Sequence, residues 1–218
     1  MTKRIRAVLF GPQGSGKGTQ GKLLAERFDL PLICLGEFIR EEIAESTHLG
    51  KLIRSYVESG LLAPDDMVNA VITRGLKKID SSRGFILDGY PRNVEQATYL
   101  DRITKINLAV SIKISDTEAI KRLTGRRQCV KCKQIFHIVY APTVKQGICS
   151  VCGSKVVRRQ DDEEEAIKRR LASYHFMTEP LASYYRQRGV LLVVNGEQPI
   201  QYVFDDLVRK MSKLGFKI

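Results

Sequence analysis

With 218 residues, 43% of them hydrophobic and 28% charged, the chain has enough apolar material for one sizeable core carrying one or two small insertions, and no apolar run long enough to cross a bilayer. A formal net charge of +12 points to anionic partners, a description that nucleic acid, acidic membrane and nucleotide phosphates all satisfy, so charge alone selects none of them. The basic start is followed by only four apolar residues before Gly11, which makes a poor secretory signal, and the five cysteines suit metal ligation in a reducing cytoplasm better than disulfides.

In chain order, Ile5 to Phe10 reads as a buried strand that runs into a glycine-rich turn, and Lys17 to Phe28 has helical spacing, with Leu24 and Phe28 four apart. The turn Gly11-Pro12-Gln13-Gly14-Ser15-Gly16-Lys17 matches the Walker A pattern through its lysine and stands where that pattern works, between strand and helix. Glycines there let backbone N–H groups ring a phosphate, the helix dipole adds partial positive charge, and Lys17 adds a full one. The generic pattern has Ser or Thr directly after the lysine, whereas Gly18 intervenes here and Thr19 follows. A ligand-free glycine turn is the bland alternative.

Leu32 to Leu35 is a second short strand, followed by helical stretches around Phe38 to Ala44 and Leu49 to Val57, with Gly60 as a stop. Pro64-Asp65-Asp66 opens another helix through Val68, Val71 and Ile72. Phe85 to Leu87 reads as the third strand and ends in Asp88, the Walker B arrangement in which a strand-end carboxylate helps hold magnesium or its waters; alone, such an Asp is as well explained as a turn former. Leu108 to Ile114 and Val190 to Val194 complete five apolar runs separated by helical rhythm, which implies crossover connections and a parallel sheet with helices on both faces.

From Gln128 to Arg159 the helical rhythm disappears, and Cys129-x-x-Cys132 and Cys149-x-x-Cys152 are separated by sixteen intervening residues, the spacing of a zinc ribbon. Four thiolates close a tetrahedral site to water, so the metal would fold the insert and take no part in reaction chemistry; iron in place of zinc fits the same ligands. Cys34, in a strand, reads as a buried thiol. Asp161 to Glu165 then opens a long helical segment toward Arg188.

The P-loop ending Gly16-Lys17-Gly18-Thr19, the block Asp88-Gly89-Tyr90-Pro91-Arg92, Gly125-Arg126-Arg127 and Arg159-x-Asp161-Asp162 together resemble adenylate kinases of the long-lid, zinc-containing type, within the nucleoside monophosphate kinases. The resemblance runs through nearly the whole chain, and Gly18-Thr19 is that family's own form of the loop. It implies an α/β, three-layer P-loop fold with a five-stranded parallel sheet, a core of 1–34, 61–125 and 161–218, a helical NMP-binding insert at 35–60 and a zinc-bearing lid at 126–160. It implies reversible phosphoryl transfer from MgATP to AMP giving two ADP, with Mg2+ accompanying ATP and structural Zn2+ on Cys129, Cys132, Cys149 and Cys152.

Position by position, the resemblance implies that Gly14, Ser15, Gly16, Lys17, Gly18 and Thr19 hold donor phosphates, with Arg122 against the donor base and Arg126 also on the ATP side. Leu35, Arg40, Gly89, Arg92, Gln96, Arg159 and Arg170 would line the AMP site, with Gln96 touching the adenine. Lys17, Arg92, Arg126, Arg159 and Arg170 would surround the phosphoryl group in flight, with Asp88, Asp161 and Asp162 behind the metal's water shell and the lid arginines. Where the family usually has Ser-Thr-Gly-Asp, this chain has Cys34-Leu35-Gly36-Glu37, and leucine can neither donate nor accept.

The chemistry independently favours many cations. A monophosphate with a second pKa of about 6 is already largely ionised at neutral pH, so no general base is needed, and the difficulty lies in bringing two polyanions together. A well-placed arginine is then worth roughly 10³ to 10⁵ in rate. Water reaching the terminal phosphate would waste triphosphate, so the insert is expected to close as a rigid lid when both nucleotides are present. Rival readings are a different monophosphate acceptor, a nucleotide-binding pseudo-enzyme, a zinc-ribbon P-loop ATPase on nucleic acid, and a membrane or partner contact through the basic stretch Arg209 to Lys217. Few aromatics in the ribbon for base stacking and the packed pattern Val203, Leu207, Met211 weigh against the last two, leaving a monomer without stable nucleic-acid or membrane partners.

Overall fold

The computed structural model describes residues 4–58, 63–159 and 162–216; Gly60, Asp161 and Lys217, invoked above, lie outside them. Five parallel strands, β1 (Ile5–Phe10), β2 (Leu32–Cys34), β3 (Gly84–Asp88), β4 (Leu108–Lys113) and, after the three strands of the insert, β8 (Leu191–Asn195), form a sheet of order β2-β3-β1-β4-β8. Central β1 is apolar on both faces because both are covered. Val8 and Phe10 join Ile33, Phe85, Leu87 and Ala109 in one core, while Ala7 and Leu9 join Leu24, Ile86, Val110 and Leu207 in the other. The first core packs under α2 (Leu35–Ala44), α3 (His48–Glu58), α4 (Asp65–Lys78), α5 (Val94–Ile103) and α8 (Leu181–Gln187), the second under α1 (Lys17–Phe28) and α9 (Ile200–Lys213).

Several boundaries differ from the sequence reading. Leu35 begins α2 and does not end β2, and its side chain plugs the first core at 2% exposure. The fifth strand starts one residue later, at Leu191, and the fourth ends at Lys113. The long helix expected to run toward Arg188 is α7 (Glu164–Ser173), a π-helical turn (Tyr174–Thr178) and then α8, because Pro180 has no N–H to continue the ladder. Helix α6 (Asp116–Gly125) packs on α7 through Ala119, Leu123, Ile167 and Leu171, and leads into the insert.

The insert is a three-stranded antiparallel sheet, β6 (Ile135–His137), β5 (Arg126–Cys129) and β7 (Val156–Val157) in that order. Its buried apolar set is small: Cys129, Phe136 and Cys149, with Cys152 and Val156 against them. Among the described residues no helix is long and apolar enough to cross a membrane.

The corner between α2 and α3 is built from polar groups. Thr47 Oγ1 accepts the Gly50 N–H at 2.9 Å, the N-cap geometry for α3, and donates its own proton to the Glu42 carboxylate, which also meets Arg74 Nη1 at 3.2 Å. Glu42 is 3% exposed, so loss of either partner leaves buried charge poorly compensated. Thr47→Ala is expected to destabilise the protein by about 1–2 kcal/mol, read as a lower midpoint in urea denaturation.

Candidate functional site

Strand order places β1 between β3 and β4, and the chain leaves β1 toward the β2 edge and β4 toward the β8 edge, so a crevice opens at their carboxyl ends. The glycine-rich turn fills that crevice. Gly14 (φ 84°) and Gly16 (φ 91°) hold left-handed backbone, and Gly16 caps α1 without a side-chain bond to the helix's first N–H groups. No acidic residue occupies the first turn of α1, so its positive end faces the loop unopposed. Ser15 is buried, Gly18 lies on the first turn, and Thr19 is exposed beside it.

Lys17 folds back over the loop, its Nζ donating to the carbonyls of Gly11 and Pro12 at 2.8 Å each. Burial pulls its ammonium down to about 8 from the ordinary lysine range; Asp88 opposes that pull, and Arg92, Arg170 and Arg126 add to it. One side chain therefore senses the end of β3, the turn that follows it, α7 and the insert together. Asp88 terminates β3, paired in register with Leu9 and Cys34, and an oxygen of its carboxylate lies 3.4 Å from where a Cβ on Gly18 would be. Glycine at 18 thus leaves room beside that carboxylate. Burial raises the Asp88 pKa, against the pull of Lys17 and Arg92.

The arginines at the base of the insert are held by a carboxylate. Arg126 forks onto Asp162, with Nε donating to Oδ2 at 2.8 Å and Nη2 to Oδ1, and Arg170 Nη1 stands 3.7 Å from the same Oδ1. Asp162 is fully buried, and its backbone N–H donates to the Arg159 carbonyl at 3.2 Å. Arg122 donates to Glu118 at 2.7 Å and rests Nη1 3.4 Å from the Gly14 carbonyl, on the wall of the loop.

On the other side of Asp88, Arg92 Nε donates to the Gly89 carbonyl at 2.9 Å. Leu35 backs that turn, its Cβ 3.9 Å from where a Cβ on Gly89 would be. Arg40 is exposed one helical turn along α2, and a Cβ on Gly36 would lie 3.3 Å from its Nη1. Gln96 is buried beneath the turn, its Oε1 accepting the Arg92 N–H at 2.7 Å. Three further residues support this side: Asp65, marked in the sequence only as a helix start, Asn93, and Thr178, whose Oγ1 donates to the Arg92 carbonyl at 2.7 Å. The signal for Asn93 was present, since Asn three residues ahead of Gln is a helix-start pattern.

In the insert the sulfurs of Cys129, Cys132, Cys149 and Cys152 all lie within 4.8 Å of one another, with Cys129–Cys152 at 3.4 Å and Cys132–Cys149 at 3.5 Å. A tetrahedral zinc with bonds of about 2.3 Å needs sulfurs about 3.8 Å apart, so the cage has the right size and donor set. Two strand-linked turns supply it, and all four positions are sulfur, leaving none for water. Cys34 stands apart at the end of β2, where burial pushes its thiol up to about 12.

The sequence profile of the adenylate kinase family matches residues 9–190. Relatives bearing the name adenylate kinase include one from Clostridium acetobutylicum, 43% identical over 96% of this chain and 100% of its own length. Others come from Caldicellulosiruptor bescii, 41% identical over 95% and 99%, and Methanothrix thermoacetophila, 41% identical over 96% and 99%.

Denaturing the purified protein in the presence of a zinc-sensitive dye is expected to release about one equivalent of zinc. Cys149→Ser or strong chelation is expected to lower the melting temperature; a metal-free protein with an unchanged melting curve would refute the cage.

Proposed function

Because the chain belongs to the adenylate kinase family, a phosphotransferase acting between ATP and AMP, we propose that its geometry supports direct in-line transfer driven by cation placement. The observation that carries this reading is the convergence of Lys17, Asp88, Arg92, Arg126 and Arg170 in one electrostatic neighbourhood at the carboxyl edge of the sheet.

In this reading the first turn of α1 and the loop from Gly14 to Thr19 receive the donor's phosphates on backbone N–H groups, and Lys17 leaves the Gly11 and Pro12 carbonyls for the β and γ oxygens. Arg122, lying along the loop wall, meets the donor base. Arg92 and Arg40 hold the acceptor phosphate, with Leu35, Gly89 and Gln96 toward its base. Arg126 and Arg170 turn from their resting places around Asp162 toward the transferred group as the lid closes, and Arg159 joins them. A magnesium ion bound with ATP neutralises β and γ charge, and Asp88 offers the hard oxygen that suits it. No residue has to remove a proton, since the attacking oxygen is already anionic. Closure excludes water from the terminal phosphate.

The domain assignment follows the same lines: a core of 1–34, 61–125 and 161–218, an acceptor-binding insert at 35–60 and a lid at 126–160 held rigid by zinc. We take the enzyme to act as a monomer in the cytoplasm, in keeping with four thiols set aside for metal. A different acceptor has one observation in its favour, the apolar Leu35 at 2% exposure beside Gly89.

A coupled assay for ADP with MgATP and AMP, CMP, UMP, GMP or dAMP offered separately tests the acceptor. Selective turnover with AMP is expected, and preference for another base would move the specificity while keeping the reaction. Lys17→Met is expected to reduce turnover by roughly 10³-fold or more, and near wild-type turnover would refute the loop's role.

The pH dependence follows from Lys17. With its pKa near 8 in the free protein, the side chain is cationic below pH 8 and increasingly neutral above it. Triphosphate favours the charged form, so affinity for MgATP is expected to be flat below pH 8 and to fall above it, with net proton uptake on binding. Calorimetry at pH 8.5 in buffers of different ionisation enthalpy measures that uptake directly.

A further inference from the structure

Beneath the acceptor-side turn, Asp65, Asn93, Gln96 and the Arg92 backbone form a hydrogen-bond circuit in which each group's chemistry dictates the next. The Arg92 N–H can only donate, and it meets Gln96 Oε1 at 2.7 Å. The Asp65 carboxylate can only accept, and it takes Gln96 Nε2 at 2.6 Å on Oδ1 and Asn93 Nδ2 at 2.7 Å on Oδ2. Asn93 is itself fixed, because its Oδ1 accepts the Gln96 backbone N–H at 2.7 Å as the cap of α5. Gln96 and Asn93 are 4% and 8% exposed, so water offers little relief to a group facing the wrong way.

Rotating the Gln96 amide by half a turn would set its NH2 against the Arg92 N–H and its oxygen against the Asp65 carboxylate. Both contacts would be repulsive, so the amide has one polarity. An amide has two N–H donors and two acceptor positions, and this circuit uses one of each. A donor beside an acceptor remains.

We propose that Asp65 is a positioning residue for base selection: by locking the Gln96 amide in one polarity, it makes the site complementary to a 6-aminopurine and hostile to a 6-oxopurine. On the 6-aminopurine edge N1 accepts and the exocyclic amine donates; on the 6-oxopurine edge N1 donates and O6 accepts. A free amide would serve either by rotating. An amide locked through Asp65 serves only the first. The proposal rests on the reading of Gln96 as the acceptor-base contact, and Asp65 acts through Gln96 without touching substrate.

The test is the ratio of kcat/KM for AMP over IMP, measured on the full-length enzyme with saturating MgATP. In Asp65→Asn, one of the two NH2 groups that the carboxylate receives must face another NH2. Asn93 is fixed by the α5 backbone, so Gln96 is the side chain released. The ratio is expected to fall by about tenfold to a hundredfold, the range of one bidentate base contact. Simple loss of folded enzyme lowers both rates together and leaves the ratio intact. Should Asp65→Asn prove too unstable to assay, Asp65→Ser, which can accept from Gln96 or donate to it, leaves only the Arg92 N–H to set the amide's polarity and is expected to show a smaller fall of the ratio in the same direction. Gln96→Ala separates the two levels of the argument. Loss of selectivity in Gln96→Ala with wild-type selectivity in the Asp65 variant would overturn the role of Asp65 alone. Unchanged selectivity in Gln96→Ala would remove Gln96 from the base site and the proposal with it.

Discussion

Mutual repulsion among cations at one edge of one sheet is the constraint that the rest of the molecule answers. Burial above all, with Arg92, Arg170 and Arg126 adding to it and Asp88 opposing, brings the Lys17 ammonium to about 8. Such a cluster persists without nucleotide only if counter-charges are built in beside it. Asp88 supplies one from the end of β3, and the fully buried Asp162 supplies another at the junction of insert and α7, where it takes the fork of Arg126 and faces Arg170. Lys17 meanwhile rests on loop carbonyls. In the proposed reaction the incoming phosphates replace these internal partners, so the cations are held near their working positions before substrate arrives.

The insert solves a different problem. Its apolar set of Cys129, Phe136 and Cys149 is too small for a segment of this length to fold by burial alone. Four sulfurs spaced for one tetrahedral ion could supply the missing cross-link, and because the site is closed a metal held there would contribute rigidity without reactivity. In the proposed reading the insert moves as one stiff piece about its junction with α6 and α7, whose mutual packing through Leu123 and Leu171 would give the movement a firm base.

The two sides of the crevice are joined through the chain that follows α7. Within the π-helical turn, Thr178 holds the Arg92 carbonyl, and His175 bridges Asp116 at 3.0 Å and Glu179 at 2.8 Å, contacts that raise its pKa. The start of α6, the turn after α7 and the turn that carries Arg92 are therefore tied by direct bonds. Beside that turn, the Tyr90 hydroxyl donates toward Asn69 at 2.6 Å and the Gln96 carbonyl at 3.1 Å, linking α4 to it.

By itself the sequence determined the five parallel strands, the phosphate loop and the cysteine cage, because each rests on local spacing: buried runs of strand length, glycines at fixed offsets, paired Cys-x-x-Cys. The blocks Asp88 to Arg92 and Arg126 with Asp162 were picked out by resemblance to a family and not by spacing, and the structure places Arg126 on Asp162 and Arg92 beside Asp88. Only the tertiary structure decided where Leu35 belongs, since an apolar residue after a short strand extends it or starts the next helix according to which core receives the side chain. Nor could spacing reveal that Asp65 and Gln96, 31 residues apart, share a hydrogen bond. Long-range polar contacts leave no periodic trace, because a carboxylate at a helix start looks the same whether it meets water or a buried amide.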